Sequence, residues 1–251
     1  MEQNTQPLTP EQVLRYHADG YLVVPDLLTQ SEVDEFLEYE SKPKPPEHQR
    51  GLQTHTVSPA WSNLAAHPRI VAITQLLLQG EPMIVQTMYM NKAPGGDVGI
   101  ALHQDTHYIT SEPNTLMACW LALSDTGAEN GGLCVVPGSH LTGLRKGGIN
   151  SDKQQHATWE SDIAMRDRSG KEWTEHFVSF QIENVDPDEI ERLEVPRGGG
   201  VFFTGMTIHG SFANNSPDKA RLAFATHYVR EGTWIFRTDI QNVSPAVQVV
   251  G

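Results

Sequence analysis

The chain has 251 residues, 38% of them hydrophobic, and a formal net charge of −13. That balance argues against a nucleic-acid or anionic-membrane surface, which clustered Lys and Arg would have to carry, and no apolar run approaches the ~20 residues of a membrane helix. The first ten residues are polar with no signal core, and Cys119 and Cys134 lie in apolar runs as packing residues. A cytoplasmic protein is therefore expected, with no nucleic-acid or membrane partner and an oligomeric state that the sequence leaves open.

Thr9-Pro10-Glu11-Gln12 predicts a helix start, with Thr as N-cap, Pro at the first helical position and Gln at the third, and the helix stops near Gly20. Tyr21 to Pro25 reads as a short strand. Thr29 and Glu32 form a second capping box, followed by the apolar stripe Val33, Phe36 and Leu37. Pro43, Pro45 and Pro46 end that helix. A third helical stretch runs from about Pro68 to Leu78 and closes at Gly80. Six strands then follow: Met83 to Met90, Thr115 to Leu123, Gly132 to Val136, Leu193 to Val195, Gly200 to Thr204 and Leu222 to Val229. Turn sequences such as Pro94-Gly95-Gly96 and Glu129-Asn130-Gly131 separate them. Helices first and short strands later predict a mainly β fold, an antiparallel sandwich or barrel with N-terminal buttressing helices. No repeat or linker divides the chain, so residues 1–251 read as one domain. Residues 141–180 carry six of the eighteen basic residues and six acidic ones, with Trp159 and Trp173, and read as a lid over a site.

His103-Gln104-Asp105 places an imidazole and a carboxylate two residues apart, hence on one side of a strand. His209 follows the apolar Val201-Phe202-Phe203 and needs a partner if buried. Two imidazoles and one carboxylate on one face of an octahedral ion leave three positions open, which suits non-haem Fe(II) activating O₂. His107 is a competitor, because His103, Asp105 and His107 share a period-two face and would form a local site if the strand bends. His227 reads as a core residue or a support behind the ligands. Arg221 shares a strand face with Ala223, Ala225 and His227, while Leu222, Phe224 and Tyr228 face the other way. A guanidinium beside small residues leaves room for a ligand, and the carboxylate of a small diacid is a suitable bidentate partner. The alternative is a surface arginine at a strand start. Gln86 could add an amide to the same carboxylate or serve the structure alone.

Taken together, Lys92-Ala93-Pro94-Gly95, Leu102-His103-Gln104-Asp105-Thr106-His107-Tyr108, Asn130 through His140 with its Gly131-Gly132 and Pro137-Gly138-Ser139, Phe202-Phe203, His209-Gly210-Ser211 and Arg221 resemble the phytanoyl-CoA dioxygenase family of Fe(II)- and 2-oxoglutarate-dependent oxygenases. The resemblance spans roughly residues 10 to 230. It implies a double-stranded β-helix (a jelly roll, cupin-like) with iron held by His103, Asp105 and His209. It implies that Arg221, helped by Ser211, grips the distal carboxylate of 2-oxoglutarate, that Gln86 and Tyr108 lie near the cosubstrate, and that His140 is structural. The implied reaction uses O₂ and 2-oxoglutarate, releases succinate and CO₂, and hydroxylates an aliphatic C–H bond of a small molecule. Asp105 favours hydroxylation over halogenation, since related halogenases lack this carboxylate; desaturation, ring formation and epimerisation use the same ligands. A non-oxidative jelly-roll metal protein, an isomerase or binding module, would share the ligands, but Arg221 and Ser211 argue against it. Residues 141–180 do not match, so the substrate is the least legible feature. The reading leans to a small polar or anionic metabolite, with Arg145, Lys146, Arg166 and Arg168 as a candidate basic patch.

Overall fold

The computed structural model describes residues 6–48, 50–150 and 155–246. Both predicted capping boxes form. Thr9 Oγ1 accepts from Gln12 N at 3.2 Å while Gln12 Oε1 accepts from Thr9 N at 2.8 Å, opening the helix Pro10–Asp19. Thr29 and Glu32 do the same for Gln30–Ser41. The first helix ends at Gly20, whose φ of 81° is left-handed. A Cβ there would also lie 2.3 Å from His140 Nδ1, so glycine is required twice over. Helix Pro68–Leu78 forms as predicted. Helix Pro59–Ala65 was not foreseen: its seven residues are too few to show a period, and burial of Trp61, Leu64 and Ala65 holds it in place.

Two antiparallel sheets of six and four strands form the body, beside three two-stranded ribbons. The larger runs in the order Tyr21–Val24, Gly200–Thr204, Met117–Ala122, Arg221–Arg230, Pro82–Lys92, Ser244–Pro245. The smaller runs Glu191–Arg192, Leu133–Val135, His209–Ser211, Ile100–His103. Period-two alternation divides the larger sheet cleanly. Leu22, Phe202, Cys119, Leu121 and Phe224 face the helices and pack with Phe36, Trp61 and Ile70. Tyr21, Val201, Phe203, Ala118, Trp120 and Ala223 face the smaller sheet and pack with Leu133 and Val135. Both faces are covered, which is why Met117–Ala122 reads as an unbroken apolar run and is buried throughout. Phe224 meets Phe36 and Trp61 edge-on at 5.2 Å each, fixing the helical layer to the sheet. The two layers match the predicted jelly roll with helical buttresses.

The strand expected over Leu193 to Val195 sits two residues earlier. Glu191–Arg192 pairs with Leu133–Val135, after which Leu193 and Val195 turn into the core and Val195 bridges Thr126. Residues 141–180 carry a hairpin, Glu160–Arg166 against Glu172–Val178, in register from Glu160↔Val178 to Arg166↔Glu172. Its turn is tied by Asp167 Oδ1, which accepts from Ser169 N at 2.9 Å and Lys171 N at 3.0 Å. The hairpin is fastened to the body by Arg166 N→Phe236 O (2.8 Å) and Thr238 N→Ala164 O (2.9 Å). Among the described residues, no helix is long and apolar enough to cross a membrane.

Candidate metal and anion site

The larger sheet's inner face and the smaller sheet enclose a cavity of about 740 Å³. His103 closes the strand Ile100–His103, and His209 opens the neighbouring strand directly opposite it in the ladder. Direct pairing brings the two imidazole centroids to 4.3 Å. Gly210 allows that approach, since a Cβ on it would meet Ile100 O at 2.7 Å.

Asp105 is not on the strand with His103, as the spacing had suggested. The strand ends at His103, and Asp105 opens a tight turn over Asp105–His107, closed by Tyr108 N→Asp105 O at 2.9 Å. On a straight strand, side chains two apart stand ~6.5 Å from each other. The turn instead brings Asp105 Oδ1 to 3.4 Å from His103 Nε2 and 3.6 Å from His209 Nε2. The same turn removes His107 from the group: its Nε2 lies 2.7 Å from Arg145 O, so the local triad does not form. Among the described residues, His103, Asp105 and His209 are the group whose ligand atoms all lie within 4.8 Å of one another. Gln104, between two of them, was missed by the sequence reading. It is fully buried, donates to Gly143 O at 3.0 Å and Met206 O at 2.7 Å, and accepts from Arg145 N at 2.8 Å, which pins the turn.

The hydrogen bonds settle the proton positions. His103 Nδ1 is 2.8 Å from Ala101 O and His209 Nδ1 is 3.0 Å from Thr207 O. Carbonyls only accept, so both Nδ1 atoms carry the proton and both Nε2 lone pairs face the cavity. His227 Nε2 donates to Asp105 Oδ2 at 3.0 Å, and its Nδ1 accepts from Gln86 Nε2 at 3.3 Å. Gln86 and His227 are partners across the sheet. This chain occupies Oδ2 and leaves Oδ1 toward the two imidazoles. Burial opposes the Asp105 charge, but the positive charge that His209 and His227 can take up, the bond from His227 and the bond a doubly protonated His103 would give outweigh it and hold the carboxyl well below its usual range. Burial pushes His209 down to about 4, against the pull of Asp105. Burial acts the same way on His103, where the bond to Asp105 prevails and the net shift is upward. Two neutral-capable imidazoles and one ionised carboxylate make a donor set that fits a divalent transition metal with positions to spare.

Arg221 lines the same cavity, on the face shared with Ala225 and His227. It is 2% exposed, so the surface-arginine alternative falls. Its Nε donates to Gly131 O at 3.1 Å, while Nη1 is buried without a partner. Burial lowers its pKa to about 10. Lys92, whose role the sequence reading did not foresee, lies beside it at 5% exposed. Its Nζ donates to Ser211 Oγ at 2.9 Å and to Phe212 O. Burial first, then the charge of Arg221, brings Lys92 down to about 7. Among the described residues neither cation has a carboxylate at ion-pair distance. The strand carrying Lys92 pairs with that of Arg221 at Lys92↔Arg221, a register that places both at one edge of the sheet. Two buried cations with an open Nη1 fit an anionic carboxylate. Ser211, accepting from Lys92, keeps its hydroxyl proton to donate. Gln86 Oε1 is buried without a partner. Tyr108 lines the cavity with its hydroxyl accepting from Phe180 N at 3.1 Å. His140 bonds His17 O at 3.1 Å, away from these groups, in keeping with the structural role.

A family model described as phytanoyl-CoA dioxygenase (PhyH) matches residues 16–223. Phytanoyl-CoA dioxygenase 1 of Oryza sativa subsp. japonica is 28% identical over 179 residues, covering 71% of this chain and 56% of its own length. The chain thus spans about half the length of the curated relatives it matches. The epimerase SnoN, solved with Fe3+, alpha ketoglutarate and nogalamycin RO, superposes with a TM-score of 0.67 at 22% identity, over 90% of this chain and 84% of SnoN. The alpha ketoglutarate-dependent carbocyclase SnoK gives a TM-score of 0.63 at 23% identity, over 98% and 96%. At such identities these two likenesses speak to the fold.

Proposed function

The chain belongs to the phytanoyl-CoA dioxygenase family of iron- and 2-oxoglutarate-dependent oxygenases, and from that premise we propose that it hydroxylates an aliphatic C–H bond of a small molecule, with release of succinate and CO₂. One observation carries the reading: the His103, Asp105 and His209 donors line one cavity with Arg221, whose Nη1 is unpartnered, and with Ser211, which accepts from the buried Lys92 behind it. A diacid that reaches both groups is the ligand this arrangement suits. In this reading His103 Nε2, His209 Nε2 and Asp105 Oδ1 hold Fe(II), and bound iron supplies the oxidising power drawn from O₂ and 2-oxoglutarate. Arg221 Nη1, the Ser211 hydroxyl and Lys92 receive the distal carboxylate. Gln86, through His227, keeps Asp105 turned toward the ion, and Tyr108 walls the cosubstrate space beside His103, 5.8 Å between rings. Asp105 fills the position a halide would need, which supports hydroxylation.

Residues 1–251 are proposed to act as one oxygenase domain, with residues 141–180 as its lid. Support comes from the hairpin strand Glu160–Arg166, whose Asp162 and Ile163 line the cavity.

The test is anaerobic titration of the metal-free protein with Fe(II) and 2-oxoglutarate, followed by air. A visible charge-transfer band and succinate release are expected, both lost in Asp105→Ala. Product masses then separate oxygen insertion from loss of two hydrogens. A protein that binds neither iron nor 2-oxoglutarate would overturn the reading.

A further inference from the structure

Beyond the iron donors, the cavity is lined by the rings of Tyr108, Trp159 and Phe180 together with polar residues such as Ser161, Ser179 and Thr238. The Tyr108 ring lies 5.8 Å from His103, and from it the aromatic wall continues to Phe180 at 5.1 Å and Trp159 at 5.3 Å, with Phe177, outside the lining, 6.5 Å from Tyr108. The Tyr108 hydroxyl is held by Phe180 N, so the residue offers the cavity its ring. Trp159, at the end of the series, is 43% exposed. Met88 and Met90, on the strand Pro82–Lys92, line the cavity with flexible thioether chains. The volume of about 740 Å³ falls in the range of drug-sized ligands, larger than a five-carbon diacid fills.

The cation in this outer part already has its counter-charge, and its carboxylates carry hydrogen-bond partners. Arg237 is bound by both oxygens of Asp239, at 2.7 and 3.1 Å, and donates to Tyr108 O at 3.2 Å. Asp162 pairs with His176 at 2.7 Å. The basic patch read from the sequence does not assemble here. Arg166 is spent on Gln241, Arg168 on Glu112 O and Gly232 O, and neither these nor Arg145 and Lys146 line the cavity. Among the described lining residues, Arg221 is the cation with a nitrogen that has no hydrogen-bond partner and no carboxylate at ion-pair distance, whereas Arg237 is balanced by Asp239, and the proposed function assigns Arg221 to the cosubstrate.

We propose that the substrate of this site is a neutral molecule with a flat, largely apolar ring system, stacked along Tyr108 and Trp159, rather than a small anion or an acyl-CoA thioester. The inference rests on the proposed oxygenase reading, because that reading removes Arg221 from the substrate's reach. A buried carboxylate or phosphate would find no free cation beside the rings and would lose hydration without compensation. A neutral ring meets π-faces and thioethers, which reward shape and polarisability rather than charge.

Calorimetric titration of the protein, loaded with Mn(II) and 2-oxoglutarate so that no turnover occurs, tests this with 2-naphthol, 2-naphthoate and hexanoyl-CoA. 2-Naphthol is expected to bind about tenfold more tightly than either anion, a margin of the size set by one unpaired charge against one stacked ring. Trp159→Ala should weaken 2-naphthol about threefold to tenfold, while Trp159→Phe, which keeps a ring, should restore most of the affinity. Neither change should alter 2-oxoglutarate binding. Tighter binding of 2-naphthoate or hexanoyl-CoA, no binding of 2-naphthol, or an unchanged affinity in Trp159→Ala would overturn the proposal. The 2-oxoglutarate titration that precedes each run is scored separately, and its failure would sink the oxygenase reading instead.

Discussion

Replacing Lys92 by methionine probes the buried cation pair directly. Burial and the charge of Arg221 bring the Lys92 ammonium from 10.5 to about 7. In the unfolded chain the same group titrates near its ordinary value. Between those two pKa values the unfolded state therefore holds a proton that the folded state has lost, and stability rises with pH at up to ~1.4 kcal/mol per unit. The penalty is full below the folded value and gone above the unfolded one. Integrated from about pH 7 to about pH 9, the wild-type protein should gain ~2 kcal/mol over Lys92→Met. Urea midpoints of both metal-free proteins across that range give the difference, and subtracting the variant removes every other titrating group. Saturation with Mn(II) and 2-oxoglutarate should flatten the wild-type curve, because a carboxylate beside Lys92 restores its proton. By the same linkage, 2-oxoglutarate affinity should fall as pH rises above the folded value, by at most about tenfold per unit, and Lys92→Met should lose that dependence. Parallel stability curves for the two proteins would refute the argument, for they would mean that Lys92 keeps its proton without help.

Arg221→Gln should weaken 2-oxoglutarate binding by roughly 30- to 150-fold, the scale of charge-assisted hydrogen bonds in a buried site, and leave Mn(II) affinity unchanged, because Arg221 touches none of the three metal donors. Calorimetry with each ligand separates the two. His227→Leu removes the donor to Asp105 Oδ2 and should cost about 10- to 100-fold in metal affinity, read by competition with a chelating dye; an unchanged affinity would mean that Asp105 is oriented without it. Gly20→Ala places a Cβ on a residue with φ of 81° and 2.3 Å from His140 Nδ1. A loss of about 1–3 kcal/mol in urea unfolding is expected, with 2-oxoglutarate affinity unaltered.

Most of the framework was legible because local chemistry and tertiary need agree. The capping boxes at Thr9 and Thr29 work from four consecutive residues each, and the two-faced strand Arg221–Arg230 shows its alternation in the sequence itself. Helix Pro59–Ala65 was hidden because its helicity comes from packing Trp61 and Leu64 against the sheet, a tertiary cause. The hairpin of residues 160–178 was hidden for a related reason. One of its strands lines the cavity, and both carry charges such as Glu160, Asp162 and Glu175, so the usual apolar alternation is weak. At the metal donors the residue types were right and the local geometry was not. His103 and Asp105 converge through a turn pinned by Gln104, and nothing in an H-x-D tripeptide distinguishes that turn from a straight strand.

Lys92 shows how one missing pairwise fact limits sequence reading. In the sequence it is one lysine before an Ala-Pro-Gly turn, and a strand-end lysine is ordinarily solvated. Only the ladder pairing Lys92↔Arg221 reveals that two cations end at the same buried place. Like charges so placed repel in a medium of low dielectric constant, and the metal-free protein bears that cost. In a chain of net charge −13, with carboxylates in abundance, none reaches ion-pair distance of these two cations among the described residues, and Asp97 acts on both only from farther away. A fold that needed only stability could have placed an Asp or Glu there. The unbalanced pair instead makes an incoming diacid the missing counter-charge, so the same residues that weaken the empty protein give the cosubstrate its grip.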